Sequence, residues 1–136
     1  MNKNAKALNL MSTFFSNQHG LPHPDSKSTA LDVSKLCCEC LSDELFITIT
    51  STEIYKSFTY QNNSPEKKRS IVWTNTNKLL RRNGFIGMKT GITVTAGPCL
   101  ASAYKFRDQI YVCIVLRANK VSRRFKETRK ILSWCL

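Results

Sequence analysis

The chain of 136 residues is 42% apolar and 10% aromatic, which suffices for one domain with a hydrophobic core and excludes a disordered polymer. Its net charge of +12 is uneven, because residues 65 to 136 hold 16 Lys and Arg against 3 Asp and Glu, whereas residues 1 to 64 hold 5 against 6. No stretch approaches the roughly 18 consecutive apolar residues of a membrane span, and the polar N-terminus is unlike a signal peptide. A basic half attracts phosphate polymers, anionic membranes and acidic substrates alike.

The first third of the chain is predicted to hold two helices separated by a loop. A short polar helix is expected near residues 4 to 10, and SNQHGLPHPDSKST is rich in turn formers, which predicts a loop with a turn at Gly20. Thr29 and Asp32 then resemble a capping box at the start of a second helix. Apolar side chains recur there at helical spacing and predict a core face, formed by Ala30, Val33, Leu36, Cys37, Cys40 and Leu41.

The middle of the chain is less regular. Residues 45 to 50 (LFITIT) alternate like a strand but follow a helix directly, so that both strand and helix stay open. Residues 51 to 60 predict a strand, and residues 61 to 70 (QNNSPEKKRS) predict a polar surface loop. We expect a less regular stretch from residue 73 to residue 80.

The last third predicts a sheet covered by a helix. The β runs are 85 to 93, 99 to 106 and 109 to 116, and the link Arg107-Asp108 joins the last two as an antiparallel hairpin. Residues 121 to 135 form an amphipathic pattern, with an apolar stripe of Val121, Phe125, Ile131, Leu132 and Cys135. The predicted class is therefore α+β, a mostly antiparallel sheet flanked by helices.

The tripeptide Lys89-Thr90-Gly91 lies within the first of these β runs. In a regular strand Lys89 and Gly91 share one face and Thr90 points to the other. A glycine lets a ligand backbone lie close to the strand, while the Lys89 ammonium and a hydroxyl supply a cation and a hydrogen-bond donor. Such a strand edge suits an extended peptide that ends in a carboxylate.

Three blocks of the sequence resemble successive motifs of one enzyme family. They are MNKNAKALNLMSTFFSNQHGLPHPDSKSTALDVSKL, WTNTNKLL and FIGMKTGITVTAGPCLASA, and the resemblance spans essentially the whole chain. On these motifs residues 1 to 136 are identified as the C-terminal portion of a catalytic domain of the serine-type D-alanyl-D-alanine carboxypeptidases, the low-molecular-mass penicillin-binding proteins of peptidase family S11. The resemblance implies a β-lactamase/transpeptidase-like fold, here incomplete at the N-terminus.

Members of that family cleave a D-alanyl-D-alanine peptide bond by acyl transfer. Their site combines a nucleophilic Ser followed by Lys one helical turn later (S-x-x-K), an S-x-N element, and K-T-G on the sheet edge. The serine attacks the peptide bond, an oxyanion hole holds the tetrahedral charge, and water releases the acyl-enzyme.

The resemblance assigns substrate-binding roles to four residues of this chain. Lys89 helps to hold the terminal carboxylate, Thr90 hydrogen-bonds it and Gly91 permits its approach. Thr93 adds a hydroxyl near the site. His19, in the H-G-L-P segment, is expected to be structural.

The nucleophile and the S-x-N element of the family have no counterpart in this sequence. The formal S-x-x-K matches are 64 to 67, in a polar loop, and 102 to 105, on a strand where residues three apart face opposite sides. The formal Y-x-N at 60 to 62 falls at a strand end. We therefore expect no catalytic residue here and no serine chemistry by this chain alone, since only binding and electrostatics remain without nucleophile and base. A fragment, a mis-started gene model and a degenerate relative all fit this pattern.

The resemblance also sets the expected partners. It implies a peptide with a C-terminal D-alanyl-D-alanine, β-lactams as ligands of a complete parent enzyme, and no cofactor or metal; nucleic acid is not an expected partner, and membrane contact stays open. Family members are usually exported or membrane-associated, whereas the missing export signal and six cysteines without a paired framework favour a reducing compartment. The compartment therefore stays open as well.

Three rival hypotheses start from other residues. A zinc site combines His19-x3-His23 with Cys37-x2-Cys40, and a Cys-His thiol hydrolase would need an activated cysteine that the sequence does not reveal. A nucleic-acid or membrane-surface module would use the C-terminal cations, which are Arg81, Arg82, Arg117, Lys120, Arg123, Arg124, Lys126, Arg129 and Lys130.

Overall fold

Helices dominate the first part of the chain and antiparallel strands the second, in the computed structural model that describes residues 1–60 and 68–136. The helices are α1 (Asn2–Ala7), α2 (Ala30–Cys40), α3 (Glu44–Ser51) and α4 (Arg123–Cys135), with a short 3₁₀ helix at Lys78–Arg81. The strands are β1 (Ile54–Tyr60), β2 (Lys68–Thr74), β3 (Phe85–Gly87), β4 (Thr90–Thr93), β5 (Gly97–Phe106) and β6 (Gln109–Val115). The α+β class predicted from the sequence is confirmed.

The ten-residue strand β5 is the centre of the main sheet. One of its edges pairs antiparallel with β3 and then with β4, so these two short strands follow each other along the same edge. The other edge pairs with β6 in the predicted hairpin, whose turn holds Arg107 at a positive φ of 52°. β1 and β2 form a separate two-stranded antiparallel sheet.

Helices cover both faces of the main sheet, because alternate residues of β5 and β6 point to opposite sides. On one face, Cys37 of α2 packs with Met88 and Ala103. On the other face, α4 contributes Phe125 and Leu132 to two apolar clusters. The prediction that helices flank the sheet is therefore confirmed.

The predicted start of α2 is confirmed, but only half of the capping box forms. Thr29 Oγ1 accepts a hydrogen bond from the Asp32 backbone N–H at 3.1 Å. The Asp32 carboxylate, which is 4% exposed, instead accepts from the Ser12 N–H at 2.8 Å and from the Thr13 hydroxyl at 2.7 Å. It thereby ties the N-terminal segment to α2. At the N-terminus of a helix this negative charge is also favoured by the helix dipole.

The middle of the chain differs in part from the predicted boundaries. Residues 45 to 50, for which strand and helix were both open, are helical, and Asp43 caps α3 by accepting a hydrogen bond from the Phe46 N–H at 3.0 Å. The predicted loop 61 to 70 lies partly outside the described residues, but its last residues, Lys68 to Ser70, belong to β2. Trp73, where a less regular stretch was expected to begin, also belongs to β2. β2 was missed because almost all of its residues are exposed on both faces, so it shows no alternation between polar and apolar residues. No helix among the described residues is long and apolar enough to cross a membrane.

The ends of the apolar stripe predicted for residues 121 to 135 are also wrong. Val121 precedes α4 and is 50% exposed, and Cys135 is exposed at the other end. The buried side of α4 consists of Arg124, Phe125, Thr128 and Leu132. A cation therefore stands on a face that the apolar pattern alone assigned to the core.

Candidate functional site

A break in the edge strand sets the geometry of the K-T-G segment. The sequence predicts one β run from 85 to 93, but β3 ends at Gly87 and β4 begins at Thr90, and within β3 the pairing to β5 shifts register between Phe85 and Gly87. Gly87 and Met88 have positive φ values of 130° and 80°. A Cβ on Gly87 would lie 2.8 Å from Thr50 Oγ1 and 3.0 Å from the Thr50 carbonyl, so only glycine fits this close approach. The predicted continuous strand is thus corrected to two strands joined by a kink.

The kink leaves K-T-G at an open strand edge. Thr90 is 8% exposed, whereas Lys89 and Gly91 are exposed. The Lys89 backbone carbonyl still accepts from the Ala101 N–H at 2.9 Å, so the segment stays attached to β5. The Lys89 ammonium donates to the carbonyl of Thr90.

The N-T-N-K-L-L segment, residues 75 to 80, positions the hydroxyl of Thr76 beside the K-T-G edge. Asn75 donates through Nδ2 to the carbonyls of Thr50 at 3.2 Å and Thr52 at 3.0 Å, which ties the segment to the end of α3. Asn77, which is 2% exposed, donates to the Gly87 carbonyl at 2.9 Å. Between these two amides Thr76 is held with its hydroxyl 2.6 Å from that of Thr90.

Arg124 reaches the same edge from α4. Its Nη1 donates to the carbonyls of Gly91 at 3.0 Å and Cys99 at 3.1 Å, and the residue is 5% exposed. Its buried Nε has no hydrogen-bond partner among the described residues. A buried guanidinium normally pairs with a carboxylate, because an uncompensated buried charge is costly. This arginine therefore places a positive charge without a carboxylate partner among the described residues behind the strand edge, and that charge favours an anionic ligand there.

These groups line one cleft of about 840 Å³. One wall is the K-T-G edge with its neighbours Thr76 and Arg124, and another is the loop of residues 18 to 23. None of the described lining residues is Asp or Glu. The size is within the range of about 300–1,000 Å³ found for small-molecule sites, and the excess of donors over acceptors suits an anionic ligand.

The comparison with protein families agrees with the motifs. The family model described as D-alanyl-D-alanine carboxypeptidase, peptidase family S11, matches residues 1–120. The chain belongs to this family. Its fold is that of the solved DD-transpeptidase of Streptomyces K15, with a TM-score of 0.90 and 28% identity over 98% of this chain and 51% of that one.

Two curated S11 relatives show the extent of the similarity. The D-alanyl-D-alanine carboxypeptidase DacF of Bacillus subtilis (strain 168) is 33% identical over 98% of this chain and 33% of its own length. DacC of Escherichia coli (strain K12) is 31% identical over 98% of this chain and 32% of its own length. This S11 chain thus spans about a third of the length of these relatives.

The four substrate-binding residues predicted for the S11 chain all line the cleft. Lys89, Thr90 and Gly91 do so from the strand edge, and Thr93 follows at the end of β4. The Thr93 hydroxyl accepts a hydrogen bond from the Ala96 N–H at 3.0 Å, so it also closes the turn into β5. His19, expected to be structural, lines the cleft as well.

Thr76 and Arg124 also line the cleft, although neither was predicted as a site residue from the sequence. Arg124 was grouped with eight other cations as a basic surface. Its spacing to Thr128 and Leu132, four and eight residues later, is the signal that would have placed it on the buried side of α4. The sequence signal for this position is a single cation within a helical stripe of otherwise apolar or small residues. The neighbouring Arg123 instead lies on the exposed side of α4, where it forms an ion pair with Glu127 at 3.6 Å.

The zinc and thiol hypotheses receive no support from the geometry. His19 and His23 lie in the cleft loop, Cys37 lies in the core, and the described residues contain no group of three or more metal-ligating side chains. Burial raises the pKa of Cys37 to about 12, with smaller contributions from Cys40 and Cys38. Burial likewise raises the pKa of Cys40 and of Cys113. Raised values disfavour the thiolate that a nucleophile needs.

The formal S-x-x-K match on β5 is not a catalytic pair. Ser102 is fully buried and does not line the cleft, while Lys105 is exposed further along the strand. The other formal match, at 64 to 67, and Asn62 of the formal Y-x-N lie outside the described residues. Ser26 is the one serine on the described cleft lining, and the residue three positions later is Thr29 rather than lysine.

Proposed function

We propose that this chain forms the carboxylate-binding part of a D-alanyl-D-alanine peptidase site. Its ligand is an extended peptide that ends in D-alanyl-D-alanine, and Lys89, Thr90, Gly91 and Thr93 receive that end. β-Lactams are ligands of the same site where a nucleophile completes it. By this proposal residues 1 to 136 correspond to the K-T-G portion of an S11 catalytic domain.

The observation that supports this function is the convergence of donors on one edge. The Lys89 ammonium and the Arg124 guanidinium supply positive charge, and the hydroxyls of Thr76 and Thr90 lie 2.6 Å apart in the same cleft, whose described lining contains no carboxylate. A terminal carboxylate has acceptor sites for several such donors. Exposed Gly91, with no atom within 4 Å of the position of a Cβ, leaves room for the ligand backbone.

We further propose that the chain binds without cleaving. Acyl transfer needs a serine activated by a nearby base, and the one serine on the described cleft lining, Ser26, is not followed by lysine three residues later. We therefore expect the D-alanyl-D-alanine bond of the bound peptide to stay intact, because hydrogen-bond donors stabilise negative charge but cannot act as a nucleophile. Incubation with labelled penicillin followed by intact-protein mass spectrometry is expected to give an unmodified mass. A stoichiometric adduct would overturn this part of the proposal.

Binding is tested by calorimetric titration with acetyl-D-alanyl-D-alanine. Lys89→Met removes the exposed ammonium and is expected to weaken binding about tenfold, as for loss of a charged hydrogen bond worth about 1.4 kcal/mol. The matched control is Lys105→Met, because Lys105 is an exposed lysine on β5 that does not line the cleft. Equal affinities of the two variants would contradict the assignment of the carboxylate to the K-T-G edge.

A further inference from the structure

The loop at residues 18 to 23 brings two imidazoles to the cleft. His19 and His23 both line it, although they come from a different segment than the cationic edge. The side chain of His23 is 46% exposed, so its ring is open to a ligand. The resemblance of this segment to S11 motifs predicts only a structural role for His19.

Backbone hydrogen bonds fix the proton of both rings on the same nitrogen. Nδ1 of His19 accepts from the Leu21 N–H at 3.2 Å, and Nδ1 of His23 accepts from the Asp25 N–H at 3.2 Å. A nitrogen that accepts a hydrogen bond carries no proton, so the neutral ring is protonated on Nε2. Neither Nε2 has a hydrogen-bond partner in the described part of the chain. Each ring is therefore a donor with its orientation set by the loop.

The charges around the two rings favour an acceptor that is itself negative. The carboxylate of Asp25 lies 3.8 Å from Nδ1 of His23, on the side of the ring already held by the backbone. Lys89 and Arg124 line the same cleft and add positive charge, whereas Asp25 is not among the described lining residues, which include no Asp or Glu. Hydrogen bonds from N–H groups to an ionised carboxylate are stronger than those to a neutral carbonyl.

We propose that His19 and His23 bind a second carboxylate of the ligand, so that the cleft selects acidic extended peptides. The terminal carboxylate occupies the K-T-G edge, and an acidic side chain closer to the N-terminus of the peptide reaches Nε2–H of the loop histidines. The inference rests on the proposed function, because it assumes that the peptide end lies at Lys89. It adds a substrate class that the K-T-G edge alone does not determine.

The test compares two isosteric peptides, acetyl-Glu-D-alanyl-D-alanine and acetyl-Gln-D-alanyl-D-alanine, by calorimetric titration of the full chain. The wild type is expected to bind the Glu peptide about three- to tenfold more tightly, as for a charge-assisted hydrogen bond at a partly exposed site. A variant with both His19→Asn and His23→Asn keeps an acceptor close to the position of Nδ1 but has no donor at Nε2, and its preference is expected to fall to about one. His19→Gln with His23→Gln restores an amide near Nε2 and is expected to retain at least half of the wild-type preference.

The outcomes separate this inference from the function on which it rests. Equal binding of both peptides by the wild type, weakened for both by Lys89→Met, would overturn the inference and leave the proposed function standing. A Glu preference that survives in the Asn variants would also overturn it. Failure of both peptides to bind the wild type would reject the proposed function and the inference together. Circular dichroism of each variant checks that the loop substitutions leave the fold intact.

Discussion

The two edges of the main sheet are both open among the described strands, yet their chemistry differs. The edge formed by β3 and β4 is kinked at Met88 and carries a lysine, a glycine and a threonine in succession. The edge formed by β6 is regular, and its sequence QIYVCIV contains no charge, proline or glycine. An open edge becomes a ligand site when side-chain donors converge on it. An edge that offers only backbone groups and apolar side chains instead attracts another strand.

The largest expected effect concerns the kink that distinguishes the first edge. Gly87→Ala forces a Cβ against the backbone of Thr50 at a positive φ, and we expect it to lower the free energy of unfolding by about 2–4 kcal/mol in urea denaturation. Gly91→Ala is the control, because no atom lies within 4 Å of its Cβ position. It should change stability by less than about 1 kcal/mol and should weaken peptide binding instead. Similar stability losses at both glycines would contradict the distinct roles.

Removal of the arginine behind the K-T-G edge should have the next largest effect. Arg124→Met leaves the part-buried hydrogen bonds to the carbonyls of Gly91 and Cys99 without their donor, which we expect to cost about 1–3 kcal/mol of stability and to weaken peptide binding at least tenfold. Arg123→Met removes only an exposed ion pair and should cost less than about 1 kcal/mol. Unchanged peptide affinity in Arg124→Met would remove this residue from the site.

The core behind the same edge predicts a pH dependence. Burial raises the pKa of Cys37 from 9.0 to about 12, so ionisation of this thiol favours the unfolded chain. Its stabilising contribution is complete below pH 9 and is lost as the pH rises towards 12, at up to about 1.4 kcal/mol per pH unit. Cys37→Ala should flatten the fall in urea-unfolding free energy between pH 9 and pH 10.5, whereas Cys38→Ala, at an exposed position, should not. Parallel slopes in the two variants would refute this cause.

The smallest effect on stability is expected at the β6 edge. Ile110 is 45% exposed, and Ile110→Lys places a charge on the regular edge without removing a core residue. We expect stability to change by less than about 0.5 kcal/mol. The wild type should self-associate or bind a hydrophobic dye, and the variant should do so much less, because a lysine blocks strand addition. Sedimentation velocity provides the measurement, and a wild type that is monomeric and dye-free would show that this edge attracts no strand.

The sequence predicted well those elements whose side chains alternate between core and solvent. The β5–β6 hairpin and α2 follow from apolar periodicity and turn residues, and the K-T-G tripeptide was recognised as part of a family motif. Strand β2 was not predicted, because both of its faces are exposed and its sequence shows no alternation of polar and apolar residues. The kink at Met88 was missed because it depends on the contact between Gly87 and Thr50, which are distant in sequence. The position of Arg124 likewise depends on the packing of α4 against β4, two elements that are distant in sequence.

The central claim is that the kinked edge binds a peptide carboxylate and the regular edge does not. Heteronuclear NMR titration tests it directly, with acetyl-D-alanyl-D-alanine and its C-terminal amide as paired ligands. We expect the carboxylate to shift the amide signals of residues 89–93 and 124, the amide ligand to shift them far less, and residues 109–115 to stay unchanged. Equal shifts with both ligands, or shifts centred on β6, would contradict the account.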